Sequence, residues 1–456
     1  MVLGTGLSGL SYAYRIKEKN PGLDVHIVEK LPYVGGLAAS APFGGGYFLD
    51  FGPHFLTVEK DETLRMIKSL LNTKLLKMDR HCLLYFNNRY LSYPPSPRNI
   101  IFELGLKTAF LSTFSYFKSK VFPPKEFKSF EDWSIYNFGE YLHKIFFKPY
   151  TENFWGIQSN ELAAKWAETR ISRMNLITAI LGIFLKSVTE TSLDRDKLPL
   201  HYPVGGIGDL AESFTDKLSE KGVKIDFNSD VKRIELIRND EIEVTCGADG
   251  SERLFSSRNV ISTLPITYLI DIIEPKPPKK VLSAASKLRF RSLIVMYLVT
   301  KKKDVLKAPY VYYHNRAYHR LTESSKISRK LCPKNENVIF VEKSCFADED
   351  LWNYDKDQIF DMFMRDLEKD GILHRKDVIK TFLIKKEHVY PVYMHDFNIN
   401  LQIVKDYLNG IRNLKTLGRP GEFLYLDMDQ SIERSFAAAD KLLEETGLRN
   451  KQSPDG

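Results

Sequence analysis

The sequence predicts an α/β fold in which a parallel nucleotide-binding sheet, assembled from separated stretches of chain, carries an inserted α+β domain with a helical cap. Three observations predict it. Near the start, a glycine turn, a helix-period segment and a strand ending on an acid follow one another. Segments around 201–234 and 259–265 read as further strands, turns and a helix of the same α/β kind. Near the C-terminus a strand runs into Gly418-Arg419, and an acidic turn then opens a helix. With 456 residues and 43% hydrophobic content, the chain has enough apolar material for two or three domains.

The first unit is Val2-Leu3-Gly4-Thr5-Gly6-Leu7-Ser8-Gly9, which fits G-x-G-x-x-G, followed by a helix with an apolar face from Ser11 to Ile16. Gly4 is expected to permit the tight turn, Gly6 to let the backbone approach a pyrophosphate, and Gly9 to allow close helix–strand contact. The amides at Leu7 and Ser8 would then face the phosphate at the helix N-terminus. Asn20-Pro21-Gly22 ends the helix, and Asp24 to Glu29 alternates as a second strand. Glu29, with Lys30 beside it, stands about twenty positions past Gly9, where a carboxylate receives a ribose hydroxyl. The order of turn, helix, strand and acid marks a Rossmann-like unit; the competing reading is a glycine turn without a nucleotide. Only Met1, Val2 and Leu3 precede the turn, so either the first strand is short or the recorded sequence has lost its beginning.

Next come Gly35-Gly36-Leu37-Ala38 and, after Gly44-Gly45-Gly46, the string Tyr47-Phe48-Leu49-Asp50-Phe51-Gly52-Pro53-His54. Here the sequence resembles the FAD-dependent amine oxidase superfamily. The resemblance implies a Rossmann-like FAD/NAD(P)-binding domain of the GR2 type and a non-covalently bound FAD, with Gly35, Gly36, Leu37, Gly52, Pro53 and His54 near it. Glycines without Cβ let backbone amides approach phosphate and a flat ring. Gly44 to Gly46 read better as a hairpin turn. His54 is the candidate catalytic acid or base, against the ordinary reading of a satisfied polar residue.

In the middle of the chain, Asn87-Asn88 between two aromatic-rich runs signals a hairpin. Asn99 to Phe122, rich in Phe and Leu, reads as an amphipathic helix that either faces a cap-domain core or touches an apolar substrate or a membrane. Ser129 and Asp132 form a near capping box. Phe146-Phe147-Lys148-Pro149-Tyr150-Thr151-Glu152-Asn153-Phe154-Trp155-Gly156 resembles a block shared by UDP-galactopyranose mutases and protoporphyrinogen-oxidase-like oxidoreductases. Trp166 to Arg170 and Tyr390-Pro391-Val392-Tyr393 resemble the oxidoreductase branch. Tyr150, Trp155, Arg170 and Tyr393 are therefore candidate substrate contacts, with plain packing as the alternative.

His201 to Leu210 resembles the superfamily turn that carries the chain back to the cofactor domain, and a helix to Glu220 and a strand from Gly222 follow. The resemblance implies that Val231 meets the adenine through its backbone and that Asn259 to Pro265, including Thr263, returns toward the cofactor. The expected cofactor domain is thus discontinuous, 1–78, 201–265 and 408–456, with 79–200 and 266–407 forming the substrate domain. At the C-terminal end, Gly418-Arg419 is expected to bring a guanidinium to the pyrophosphate or substrate. Asp427-Met428-Asp429 then precedes a helix over Ser431 to Glu445, containing Ile432, whose first amides hold flavin oxygens; a bare acidic cap is the alternative. The tail from Asn450 reads as disordered.

The net charge of +8 is modest for this length and gives little support to nucleic-acid binding. Cys82, Cys246, Cys332 and Cys345 are scattered without a C-x-x-C pair, which argues against a zinc cluster or disulfide framework, so no metal is expected. Without a long apolar run or signal-like N-terminus, the expectation is a cytoplasmic protein with a small-molecule substrate and, through Asn99 to Phe122, peripheral membrane contact. Three functions are consistent with this: a FAD-dependent oxidoreductase, a mutase-like isomerase, and a non-catalytic flavin-binding scaffold.

Overall fold

The computed structural model describes residues 1–92, 106–170, 198–237, 241–248 and 250–448. Tyr93-Pro94, the start of the 99–122 segment and the tail from Asn450 lie outside the described residues, as does the side chain of Arg170, which closes the helix Ala164–Arg170.

The first strand, Val2–Leu3, is central to its sheet. Val2 and Leu3 pair in parallel with Ile27 and Val28 on one side and with Ile261 and Ser262 on the other. The ladder extends outward to Lys224–Asp226 and Leu414–Thr416, giving five parallel strands drawn from four distant parts of the chain. Alternation sends Val2, Ile27 and Ile261 to one face, against Leu10 and Ala13 of the helix Leu7–Lys19, Phe214 of Gly208–Glu220 and Ile432 of Met428–Glu445. Leu3, Val28, Val260 and Leu414 go to the other face, against Ile242, Val244 and Ile266. A parallel sheet buried on both faces is therefore apolar through its centre, at Val2-Leu3, Ile27-Val28 and Val260-Ile261.

A second sheet is an antiparallel meander over Asp230–Ile237, Glu241–Ala248 and Ser251–Ser257, edged by Ile273–Glu274. The third has seven strands built around Phe290–Thr300, which is buried along its whole length between Val378–Pro391 and Asn337–Cys345. Its far edge is the hairpin Cys82–Phe86 and Arg89–Ser92, where Asn87 and Asn88 take φ of 46° and 60° as the expected turn requires.

The helical part begins with the capping box seen in the sequence: Asp132 N–H donates to Ser129 Oγ at 3.0 Å and Ser129 N–H to Asp132 Oδ2 at 3.0 Å. Phe130, Trp133, Phe138, Leu142 and Trp155 form its core. The helix Leu106–Val121 departs from the core-facing alternative. It buries Ser112, Tyr116 and Ser119 and turns Phe110, Phe114, Phe117 and Val121 outward. The helix packs closely on that side, where a Cβ on Gly139 would stand 2.6 Å from Tyr116 N. All four cysteines are free and buried, and among the described residues there is no group of side chains suited to a metal and no helix long and apolar enough to cross a membrane.

Candidate cofactor and active site

A cavity of about 710 Å³ opens where the C-terminal ends of the first two parallel strands meet the long strand Val378–Pro391 of the seven-stranded sheet. Its glycines are demanded for different reasons. Gly4, at φ +103°, would place a Cβ 2.4 Å from Thr263 Oγ, and Gly9 would place one 2.2 Å from the Gly4 carbonyl oxygen. Packing explains both. Gly6 is different: its φ is −62°, open to any residue, and a Cβ there would meet no protein atom within 4 Å. It borders the cavity as the N-cap of the helix Leu7–Lys19, which has no side-chain cap and no acid in its first turn. Such a helix end presents free amides and a positive dipole to an anion. Gly35 N–H donates to Thr5 O at 2.9 Å, and Gly36, at φ +58°, lies against Gly6, so the second glycine pair is laid across the first. Leu7, Ser8 and Leu37 complete this wall.

At the outer end, Glu29 is held rigidly on the cavity edge. Its Oε2 accepts from Thr5 N at 2.9 Å and Thr5 Oγ at 2.6 Å, and its Oε1 from Leu31 N at 2.9 Å. Lys30 reaches Asp230 at 3.4 Å. Val231 lines the cavity with its carbonyl oxygen already accepting the Tyr268 hydroxyl at 2.7 Å, and Thr263 Oγ donates to Leu3 O at 2.7 Å.

The inner end holds His54, Gly418, Arg419, Leu426, Met428 and Ser431. Two buried anchors fix the segment leading to His54. Asp50 accepts from Ser40 Oγ and the Tyr202 hydroxyl, each at 2.5 Å, and from Ile207 N at 3.2 Å; burial nevertheless pushes its carboxyl up to about 7. Gly52, at φ +122°, lies over the Arg320–Glu342 ion pair, whose two contacts are 2.8 and 2.5 Å; a Cβ on it would come within 2.8 Å of Glu342 Oε2. The His54 imidazole is driven down to about 3 by burial, reinforced by the Arg320 and Arg419 cations. It is neutral at ordinary pH, and its buried Nδ1 has no hydrogen-bond partner among the described residues.

Arg419 donates through Nε and Nη2 to Leu426 O at 3.0 and 2.6 Å and lies 4.8 Å over the Tyr425 ring, which stacks on Tyr390. Of its two expected places, this is the inner one, beside His54. Gly418, at φ +83°, would put a Cβ 2.8 Å from Ser8 Oγ.

Several expected contacts stand behind the wall. Gly9 and Gly52 serve packing, with Pro53 next to the latter. The helix starts at Met428 rather than Ser431: Asp427 is its N-cap, its N–H donating to Gln430 Oε1 at 3.0 Å. Asp429 and Ile432 are buried away from the cavity, while Met428 and Ser431 border it. Trp155 is a core residue, 1% exposed, and the Tyr393 hydroxyl accepts Tyr425 N–H at 2.9 Å while its ring stacks on Phe397 at 4.3 Å. Packing is the reading that fits these two. Tyr150 stacks on Phe154 and meets the edge of Tyr312, off the cavity.

Lys385, Lys386, His388 and Trp352, from the seven-stranded unit, were not expected in the cavity wall. Lys385 is spent on the Trp352 and Tyr354 carbonyls, the latter at 2.7 Å. Lys386 is not: its Nζ has the Tyr33 hydroxyl at 3.4 Å and lies over the Phe51 and Tyr33 rings at 4.5 and 5.6 Å, with no carboxylate at ion-pair distance among the described residues. Burial pushes it down to about 8.

Residues 7–381 match the family described as flavin containing amine oxidoreductase. The chain belongs to that family. It is accordingly a flavin-dependent enzyme acting on a small molecule, and the scaffold reading is set aside. No curated protein matches the chain by sequence. Among solved structures, it is similar to a reduced UDP-galactopyranose mutase, with a TM-score of 0.84 at 18% identity over 97% of this chain and 93% of that one. A putative protoporphyrinogen oxidase from Exiguobacterium sp. 255-15 gives 0.74 at 12% identity over 97% and 98%. A putrescine oxidase variant gives 0.64 at 13% identity over 97% and 98%. At these identities the likeness is one of fold.

Proposed function

We propose that the cavity binds FAD non-covalently and that the protein is an oxidoreductase in which the substrate gives up a hydride to that cofactor. The observation that carries the reading is Gly6, a glycine required by neither its backbone angle nor its neighbours, on the wall of a cavity long enough to run from Glu29 to Arg419. Glu29 has its orientation fixed for a ribose hydroxyl, while the amides from Gly6 onward and the Lys386 ammonium suit the pyrophosphate. Val231 and Tyr268 suit the adenine. His54, Arg419 and Met428 then border the ring system. Bound there, the flavin supplies a two-electron acceptor. A neutral His54 presents an uncharged hydrogen-bonding nitrogen and does not act as a cationic acid at ordinary pH. In this reading the cofactor unit is 1–78, 201–265 and 408–456 and the substrate unit is 79–200 and 266–407, except that Ile266, packed on the parallel sheet, and Ile273–Glu274, paired with Asp230–Ile237, go with the cofactor unit.

A second reading, isomerisation of a sugar nucleotide, draws on the Phe147, Tyr150 and Trp155-Gly156 block. Two measurements decide. Acid precipitation of the purified protein is expected to leave a yellow supernatant containing FAD; protein that stays colourless and cannot be reconstituted refutes the cofactor assignment. Dithionite-reduced protein is expected to leave UDP-galactopyranose unchanged, and formation of the furanose would replace the oxidoreductase reading with the isomerase one.

A further inference from the structure

We propose that the outward face of the helix Leu106–Val121 docks on an anionic lipid surface. The helix is inverted relative to an ordinary surface helix, with hydroxyl-bearing Ser112, Tyr116 and Ser119 facing the protein and aromatic residues facing out. Phe110 is 71% exposed, Phe114 65%, Phe117 56% and Val121 68%. Their spacing of four, three and four residues confines them to an arc of about 60° at roughly 100° per residue. Phe122, at 75%, and Phe127 continue the patch past the helix end. Single exposed apolar residues are ordinary on a protein surface, but a contiguous apolar stripe calls for an occupant.

The charges identify which occupant. Lys107 and Lys118 flank the arc on one side and Lys120 on the other, about 50–90° from its centre by the same helical geometry. Exposed Lys125 and Lys128 follow, and from 106 to 128 the only acid is Glu126. Among the described residues countercharge is sparse: Lys128 reaches Glu126 at 3.6 Å and Lys118 reaches Glu140 at 4.0 Å, both pairs well exposed. Lys120 lies over the Tyr136 ring, its stem alongside the helix. An apolar stripe bordered by lysines whose stems can follow an apolar surface while their ammonium groups reach phosphate is the arrangement of a helix lying in the plane of a lipid interface. A second copy of the chain would bring the same lysines against one another, whereas an anionic headgroup layer neutralises them.

The test is co-flotation of the full-length protein with vesicles of phosphatidylcholine alone and of phosphatidylcholine with phosphatidylglycerol. The wild type is expected to float with the anionic vesicles, to bind neutral ones at least tenfold less, and to be partly released by salt. A Phe110→Ser/Phe114→Ser/Phe117→Ser variant should lose anionic-vesicle binding by about a hundredfold or more, while keeping its far-ultraviolet spectrum and melting temperature. Lys107→Glu/Lys118→Glu should lose binding with the stripe intact. Absence of wild-type binding to either vesicle overturns the proposal, as does equal binding by the triple variant. A wild-type dimer that the triple variant converts to monomer, without vesicle binding, overturns it in favour of self-association.

Discussion

Replacing Gly6 by alanine separates a glycine kept for the fold from one kept for a ligand. The backbone at Gly6 has φ −62° and ψ 164°, an ordinary extended conformation, and the added methyl meets no protein atom within 4 Å. Gly6→Ala should therefore leave the flavin-free protein as stable as wild type, or about 0.4–1 kcal/mol more stable through the unfolded chain. The methyl projects into the cavity where the dinucleotide backbone is to lie, and crowding of this kind costs about 1–3 kcal/mol. That corresponds to a dissociation constant weaker by about 5- to 150-fold. Gly9→Ala is the contrasting control, because its methyl would lie 2.2 Å from the Gly4 carbonyl and should damage the flavin-free fold itself. Melting curves of the flavin-free variants and titration with FAD, followed by quenching of flavin fluorescence, measure both quantities. A Gly6→Ala protein that binds FAD within twofold of wild type would refute the reasoning, as would one destabilised as much as Gly9→Ala.

Lys386→Met should weaken FAD and ADP by about 10- to 150-fold, the worth of a charge-assisted hydrogen bond, and leave riboflavin, which has no phosphate, unchanged; equal losses for all three would show a general disturbance of the site. The pH dependence has a definite sign. Lys386 sits near 8 in the flavin-free protein, below the ordinary value of about 10.4, and a phosphate partner raises it, so FAD affinity should be flat below pH 8 and fall above it. Flavin-free stability should run the other way, since between those two values the unfolded chain holds more proton and this group's contribution rises with pH. Gly52→Ala should cost about 3 kcal/mol or more, from its φ of +122° and from displacing Glu342 from Arg320 in a buried pair; a variant that melts with the wild type would contradict that geometry.

The sequence by itself determined the local units. Gly4 to Gly9, the strand ending at Glu29, the Asn87-Asn88 turn and the Ser129 capping box are short-range patterns, and each depends on backbone angles or hydrogen bonds spanning a few residues. What packs across long separations was decided only in three dimensions. The acids at 427–429 read as flavin contacts, with a cap as the alternative, and only the tertiary structure decided that the helix starts at Met428 with Asp427 as its N-cap. Trp155 and Tyr393 carry rings that serve a pocket or a core alike, and the choice lay with neighbours far along the chain. Lys386, in a charged run that looks solvated, became a buried cation only where a strand from the other unit closed over Tyr33 and Phe51. With Phe110, Phe114 and Phe117 turned outward, Tyr116 packs closely against Gly139. Helical periodicity fixes which residues share a face, but the tertiary fold decides which way that face looks.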